Sequence, residues 1–149
     1  MGSDVASKQF IPDELAIRRI IQDVFDSWSR GDAETNLPLA DDVELVNSLG
    51  FWWRGASEVK QGLGGMNAAF KKSGGLMRPV GPSSMRLVTP DAAITIDTVF
   101  VSNLALTKRP DQTALISFFF VKRGGQWLIT GGQTTGVSQE FQQHNPGGN

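Results

Sequence analysis

Three of the residue types that most often do chemistry are absent or nearly absent from this chain. There is no cysteine and no tyrosine, and the one histidine, His144, lies near the C-terminus. Thiolate nucleophiles, thiolate metal sites and disulfides are thereby excluded, as is a phenol donor. His144 sits in a polar stretch ending in Pro-Gly-Gly-Asn and reads as a solvated tail residue. Asp97 is the one acidic residue in the middle of a predicted strand. Projecting into an apolar interior, it would be a general base with a raised pKa. On the other face it would meet solvent or pair with a lysine or arginine. The alternation favours the second reading, because Ile94, Ile96 and Phe100 share the opposite face. Glu44, beside Leu45 on a strand, reads as a surface charge. Gly62-Leu63-Gly64-Gly65 is not a phosphate loop, since no strand precedes it and no Gly-Lys-Ser/Thr follows. No cluster of metal-ligand type stands out, and neither metal nor cofactor is expected.

The composition bounds the rest. The chain has 149 residues, 40% of them hydrophobic, which suits one domain with a sizeable core. Fourteen basic residues against fifteen acidic ones leave no basic field for nucleic acid. No apolar run reaches the ~20 residues of a membrane span, and the N-terminus lacks a hydrophobic signal segment, so a cytoplasmic location is expected. The domain is expected over 12–138, with flexible tails at 1–11 and 139–149.

The elements that must position any site follow from periodicity. Ile17, Ile20, Ile21, Val24, Phe25 and Trp28 form one stripe at the helical period, predicting a helix from Asp13 to Arg30. Gly31 suits a left-handed cap, and Asp32 would cap a short second helix closed by Pro38. Asp41-Asp42 would turn into a first strand, and Gly50 would return the chain through Phe51 to Arg54. A third helix is predicted over Ser57 to Lys72. Its internal Gly62, Gly64 and Gly65 each cost roughly 1 kcal/mol relative to alanine. Either the helix breaks there or something packs too close for a side chain. Ser73 to Ser83 reads as loop. Strands follow at Ser84–Thr89, Ala92–Leu104, Thr113–Lys122 and Gln126–Val137, the last two joined by a hairpin at Gly124-Gly125. Helices first and an antiparallel sheet after make an α+β fold.

Several ordered pieces resemble one superfamily: Trp28-Ser29-Arg30-Gly31-Asp32-Ala33-Glu34, Asp42-Val43-Glu44-Leu45-Val46-Asn47, Gly50-Phe51-Trp52-Trp53-Arg54-Gly55, Leu87-Val88-Thr89-Pro90-Asp91-Ala92-Ala93 and Gly125-Gln126-Trp127-Leu128-Ile129. The chain is similar to the cystatin-like, nuclear-transport-factor-two-like superfamily, which includes SnoaL-like polyketide cyclases and ketosteroid isomerases. It is most similar to the small bacterial SgcJ/EcaC type. The resemblance implies a cone: a strongly curved antiparallel sheet around a long N-terminal helix, with two further helices. It also implies a ligand site at the open end and a homodimer formed through the outer sheet face. The isomerases of this superfamily carry a base where this chain has Asn47, and a tyrosine where it has Val24. An amide takes no proton near neutral pH, so chemistry of that kind is not expected. Members of the subgroup often carry histidines on the third helix, where this chain has Leu63 and Asn67.

Trp52 and Trp53 are adjacent on a strand, so one faces inward and the other outward. Trp28, Trp127 and Ile129 are expected in the core. The expected ligand site has apolar walls from Trp53, Met66 and Phe70, with polar anchors at Asn47 and Gln133. Thr135 lies on the same final strand as Gln133. Three functions fit. The leading one is a domain that binds a hydrophobic metabolite, polyketide-like by resemblance. The second is a SnoaL-like isomerase or cyclase with Asp97 or a bound water moving the proton. The third is a structural dimerisation module whose interior its own side chains fill.

Overall fold

The stripe Ile17, Ile20, Ile21, Val24 and Phe25 builds the helix that the rest of the chain wraps; all five are buried. The structure, a computed structural model, describes residues 2–102 and 111–137. In chain order it contains α1 (Gly2–Arg30), β1 (Leu39–Val46), β2 (Trp52–Arg54), α2 (Ala56–Lys72), β3 (Leu76–Thr89), β4 (Ala92–Ser102), β5 (Gln112–Arg123) and β6 (Gln126–Gly136). α1 begins at Gly2 and runs through Pro12, so the helix starts ahead of the expected Asp13 and residues 2–11 are helical. His144 and the segment 139–149 lie outside the described residues. Among the described residues, no helix is long and apolar enough to cross a membrane.

Gly31 ends α1 at φ 71°, and Arg30 turns to pair with Asp32 at 2.8 Å. The short helix expected after Asp32 does not form. Tertiary partners claim the backbone groups it would have used internally. The Asn67 side chain donates to the Asp32 carbonyl at 3.1 Å, and the Pro38 carbonyl accepts from the Ile129 N–H at 2.8 Å. Only one further helix, α2, therefore follows α1 among the described residues.

The six strands form one sheet in the order β2-β1-β6-β5-β4-β3. Its pairs are antiparallel except β1 with β6, which run parallel. The expectation of a wholly antiparallel sheet fails at that pair because no hairpin joins the two strands, so no turn dictates their direction. Register shifts in the β1–β6, β3–β4 and β5–β6 ladders mark bulges, which bend strands and curve the sheet around α1. Asp41 and Asp42 lie inside β1 with exposed side chains rather than in a turn before it. Gly124 and Gly125 take φ 59° and 75° in the tight β5–β6 turn, as expected of that pair.

The expected loop at Ser73–Ser83 is mostly strand, since β3 starts at Leu76. β3 is an edge strand, where a proline costs no ladder bond, and its register shifts between Pro79 and Ser83. β4 is turned over relative to expectation. Thr95, Asp97 and Val99 face inward and are buried, while Ile96 on the other face is 40% exposed. The apolar alternation that suggested a core face belongs to the outer face of the sheet. At the far end of α1, Asp13 is buried and accepts from Trp127 Nε1 at 2.9 Å and Lys122 Nζ at 3.1 Å. This pins the helix to the β5–β6 hairpin.

Candidate functional site

About 17 Å along α1 from Asp13, beside Val24 and Trp28, the interior is hollow. The protein's own side chains leave a cavity of about 100 Å³ there. α1 contributes Val24 and Trp28, and α2 contributes Leu63, Met66, Asn67 and Phe70. Leu45, Asn47 and Leu49 come from β1 and the turn after it, and Trp53 from β2. Val101, Ile116, Phe118 and Gln133 close it from the sheet. These positions are far apart in sequence and meet only because the sheet curls over α1.

The glycines of α2 set the depth of this space. The helix is unbroken from Ala56 to Lys72, so close packing is the right explanation for two of them. A Cβ on Gly62 would sit inside the Trp53 indole, and one on Gly64 would meet the Ala33 carbonyl. Gly65 has open space around it, and nothing in the structure explains it. The glycine at 62 lets Trp53 lie flat against α2, where it forms cavity wall. Trp53 also stacks on Phe51, with centroids 6.3 Å apart and planes 8° from parallel.

The adjacent tryptophans divide as expected. Trp53 lines the cavity, while Trp52 is exposed. The Trp52 indole N–H donates to Glu44 Oε1 at 3.2 Å, and the Arg54 guanidinium lies 3.5 Å over its ring. Glu44 is a surface charge, as expected. Trp127 and Ile129 are buried in the core. Trp28 does more than fill core: it lines the cavity and meets Phe70 at 5.9 Å between ring centroids.

The expected polar anchors fare unequally. Asn47 lines the cavity, but its side-chain oxygen accepts the backbone N–H groups of Leu49 and Phe51, both at 3.0 Å. That carbonyl organises the β1–β2 turn, which leaves only the amide nitrogen for a ligand. Gln133 lines the cavity with its neighbour Thr134; Thr135 does not.

Asp97 is the main correction. It faces inward, yet it is not among the cavity-lining residues. It lies against α1, with Oδ1 3.4 Å from Arg18 Nη1. Burial raises its pKa above the ordinary carboxylate range, and the Arg18 charge opposes that rise. It does pair with an arginine, but on the inner face and not the outer one. A base that does not reach the hollow cannot act on a molecule held there. No aspartate, glutamate, lysine, arginine or histidine lines the cavity among the described residues. Likewise no group of metal-ligand side chains occurs among them.

Asn67 gained no role from the sequence. It is 1% exposed and lies in the cavity wall between Leu63 and Phe70. Its signal was present: an amide on the apolar face of a helix.

No family model matches the chain, and no curated protein matches it. Solved structures do. A protein with a cystatin-like fold from Caulobacter vibrioides superposes with a TM-score of 0.74 at 22% identity, covering 88% of this chain and 94% of that one. A nuclear-transport-factor-two-like protein with a cystatin-like fold from Novosphingobium aromaticivorans gives 0.73 at 16% identity, over 93% and 91%. LinA gives 0.72 at 12% identity, over 89% and 90%. The chain has the cystatin-like, nuclear-transport-factor-two-like fold, an α+β cone of curved sheet around a long helix.

Proposed function

We propose that this domain binds a small hydrophobic molecule in the cavity between α1, α2 and the sheet. One observation carries the reading: the cavity of about 100 Å³ has apolar walls and no ionisable side chain among its described lining residues. Binding needs no catalytic group, and the Asp97 route to proton transfer loses its geometry. A hollow interior also disfavours a purely structural module, which would fill it. At about 100 Å³ the enclosed space is smaller than the roughly 150 Å³ apolar cavity that holds benzene, so a single ring is the most it takes and part of that ring sits toward the mouth. A larger polyketide-like molecule would have to extend through the mouth. Burying one ring removes roughly 200 Å² from water, worth about 5 kcal/mol before the cost of association.

The same reading has the domain work as a homodimer through its outer sheet face. Ile96, Leu115 and Phe119 are exposed there, and the register sets Phe119 beside Ile94. Exposed apolar side chains grouped on one sheet face suit contact with a partner, which supports the dimer reading. Native mass spectrometry of protein gently isolated from its host tests both parts by reporting dimer mass and co-purified ligand. Calorimetric titration with single-ring compounds such as toluene and p-cresol should give saturable one-to-one binding. Met66→Trp, which fills the cavity, should abolish it while leaving the fold intact. Absence of binding by any such compound to the folded wild-type protein refutes the proposal.

A further inference from the structure

The hollow opens at one end of the sheet, where three neutral polar side chains gather. The ladders join the end of β1 to the end of β6, and the end of β6 to the start of β5, pairing Val46 with Gln133 and Gly136 with Ala114. Val43 and Leu45 are buried on the inner face, so alternation turns Asn47 the same way. A Cβ on Gly132 would meet Leu45 and Phe118, which puts Thr134 on that face too. One step beyond the Val46–Gln133 pair, Asn47 and Thr134 come side by side. Gln112 shares the inner face with the buried Ala114 and Ile116. All three polar residues line the cavity and are half-buried, near the exposed Ser48 and Leu49 that mark its mouth. Asn47 is held in one orientation. Its Oδ1 accepts the backbone N–H groups of Leu49 and Phe51, both at 3.0 Å. Turning the amide over would set its hydrogens against those two donors. Nδ2 makes no hydrogen bond among the described residues. The buried polar atoms without partners belong to Thr35, Asn67, Thr95 and Asp97, so Nδ2 is open to an incoming group.

We infer that Asn47 Nδ2 reads the polar end of the ligand, donating to a carbonyl oxygen at the mouth while an apolar ring occupies the hollow. The inference rests on the cavity being a ligand site, and it names the class: a neutral single-ring ketone, ester or lactone. A ring that fills the hollow reaches toward the mouth, so its substituent arrives beside Asn47, Thr134 and Gln112. Nδ2 carries hydrogens and no acceptor, so it needs an acceptor on the ligand. The carbonyl has two lone pairs, and the neighbouring Thr134 hydroxyl is a second donor for it. A carboxylate also accepts, but no cation lines the cavity among the described residues to offset its lost hydration. A hydrocarbon group at the same place would push water off Nδ2 without replacing its hydrogen bond. The two backbone bonds to Oδ1 hold the donor in position before a ligand arrives, which lowers the ordering cost of binding.

Acetophenone and cumene test this, since they share a ring and a branched shape and differ chiefly in the carbonyl oxygen. They also differ in hydration, so the readout is the change in their affinity ratio on substitution. Asn47→Asp keeps an oxygen for the turn and replaces the donor with a second acceptor. By calorimetry, the ratio of acetophenone to cumene affinity should fall about tenfold in that variant. If the variant does not fold, the readout is the Asn47 side-chain amide resonance of the wild-type protein. Its hydrogens should move downfield with acetophenone and not with cumene. An unchanged ratio, or no such movement, overturns the role of Asn47 and leaves the cavity reading standing. Failure of both probes while toluene still binds does the same. If toluene fails as well, the cavity reading falls and this inference falls with it.

Discussion

Replacing Gly62 with alanine tests whether the spacing between α2 and Trp53 is real. The new methyl would lie 2.5 Å from Trp53 Cδ2 and 2.6 Å from Nε1, where ordinary contact needs roughly 3.5–4.0 Å. The indole must retreat by about 1 Å, and its stacked partner Phe51 moves with it. Overpacking of this kind costs about 1–3 kcal/mol. Alanine recovers about 1 kcal/mol of helix propensity over glycine, so the net loss is about 1 kcal/mol. For a domain of this size that lowers Tm by about 3 °C. Gly65→Ala is the internal control. It carries the same propensity gain with no neighbour within 4 Å, so Tm should rise by about 3 °C. Thermal and urea denaturation of both variants give the comparison. In a Trp53→Leu background the Gly62→Ala penalty should disappear, since the double-mutant cycle isolates that pair. If Gly62→Ala stabilises the protein as much as Gly65→Ala does, the close approach is wrong, and so is the placement of Trp53 as cavity wall.

Gly64→Ala meets the Ala33 backbone rather than a movable side chain, so it should cost more than Gly62→Ala in the same melts. The folded state holds the Asp97 proton more tightly than the unfolded chain does, because burial raises that pKa. Asp97 therefore favours folding below the ordinary carboxylate pKa, and this contribution is lost as pH rises through that value toward the raised one. Asp97→Asn should gain stability relative to wild type as pH rises above the ordinary aspartate pKa of about 4, and urea midpoints of the two proteins that stay parallel as pH rises from there would contradict it. Asp13→Ala leaves Lys122 and the Trp127 indole N–H without their acceptor and should cost about 3 kcal/mol. Asp13→Asn, which keeps an oxygen there, should cost less by the same denaturation assay.

Local patterns carried much of this fold. The stripe on α1, Gly31 at its end, the Gly124-Gly125 turn and the opposed faces of Trp52 and Trp53 each depend on near neighbours in the chain. Backbone sterics and side-chain periodicity sufficed for them. Composition alone excluded a thiolate or a phenol from any site, since the chain has neither cysteine nor tyrosine. Trp53, Met66, Phe70, Asn47 and Gln133 were all expected at the cavity, and all line it.

The tertiary structure decided what alternation and propensity leave open. β4 alternates cleanly, but both of its faces carry apolar residues, so period alone could not say which one meets α1. The answer came from the curl of the sheet, and it moved Asp97 inward against Arg18. The segment after Asp32 had helical signals and lost its helix to Asn67, Gly64 and Ile129, all distant in sequence. The parallel β1–β6 pair has no turn to announce it. Asn47 and Asn67 are the same residue type, yet one spends its oxygen on a turn and the other keeps it unpaired in a cavity wall. Composition and spacing determine which groups a chain possesses. Which of their hydrogen bonds remain unmade depends on long-range packing, and only the folded structure records it.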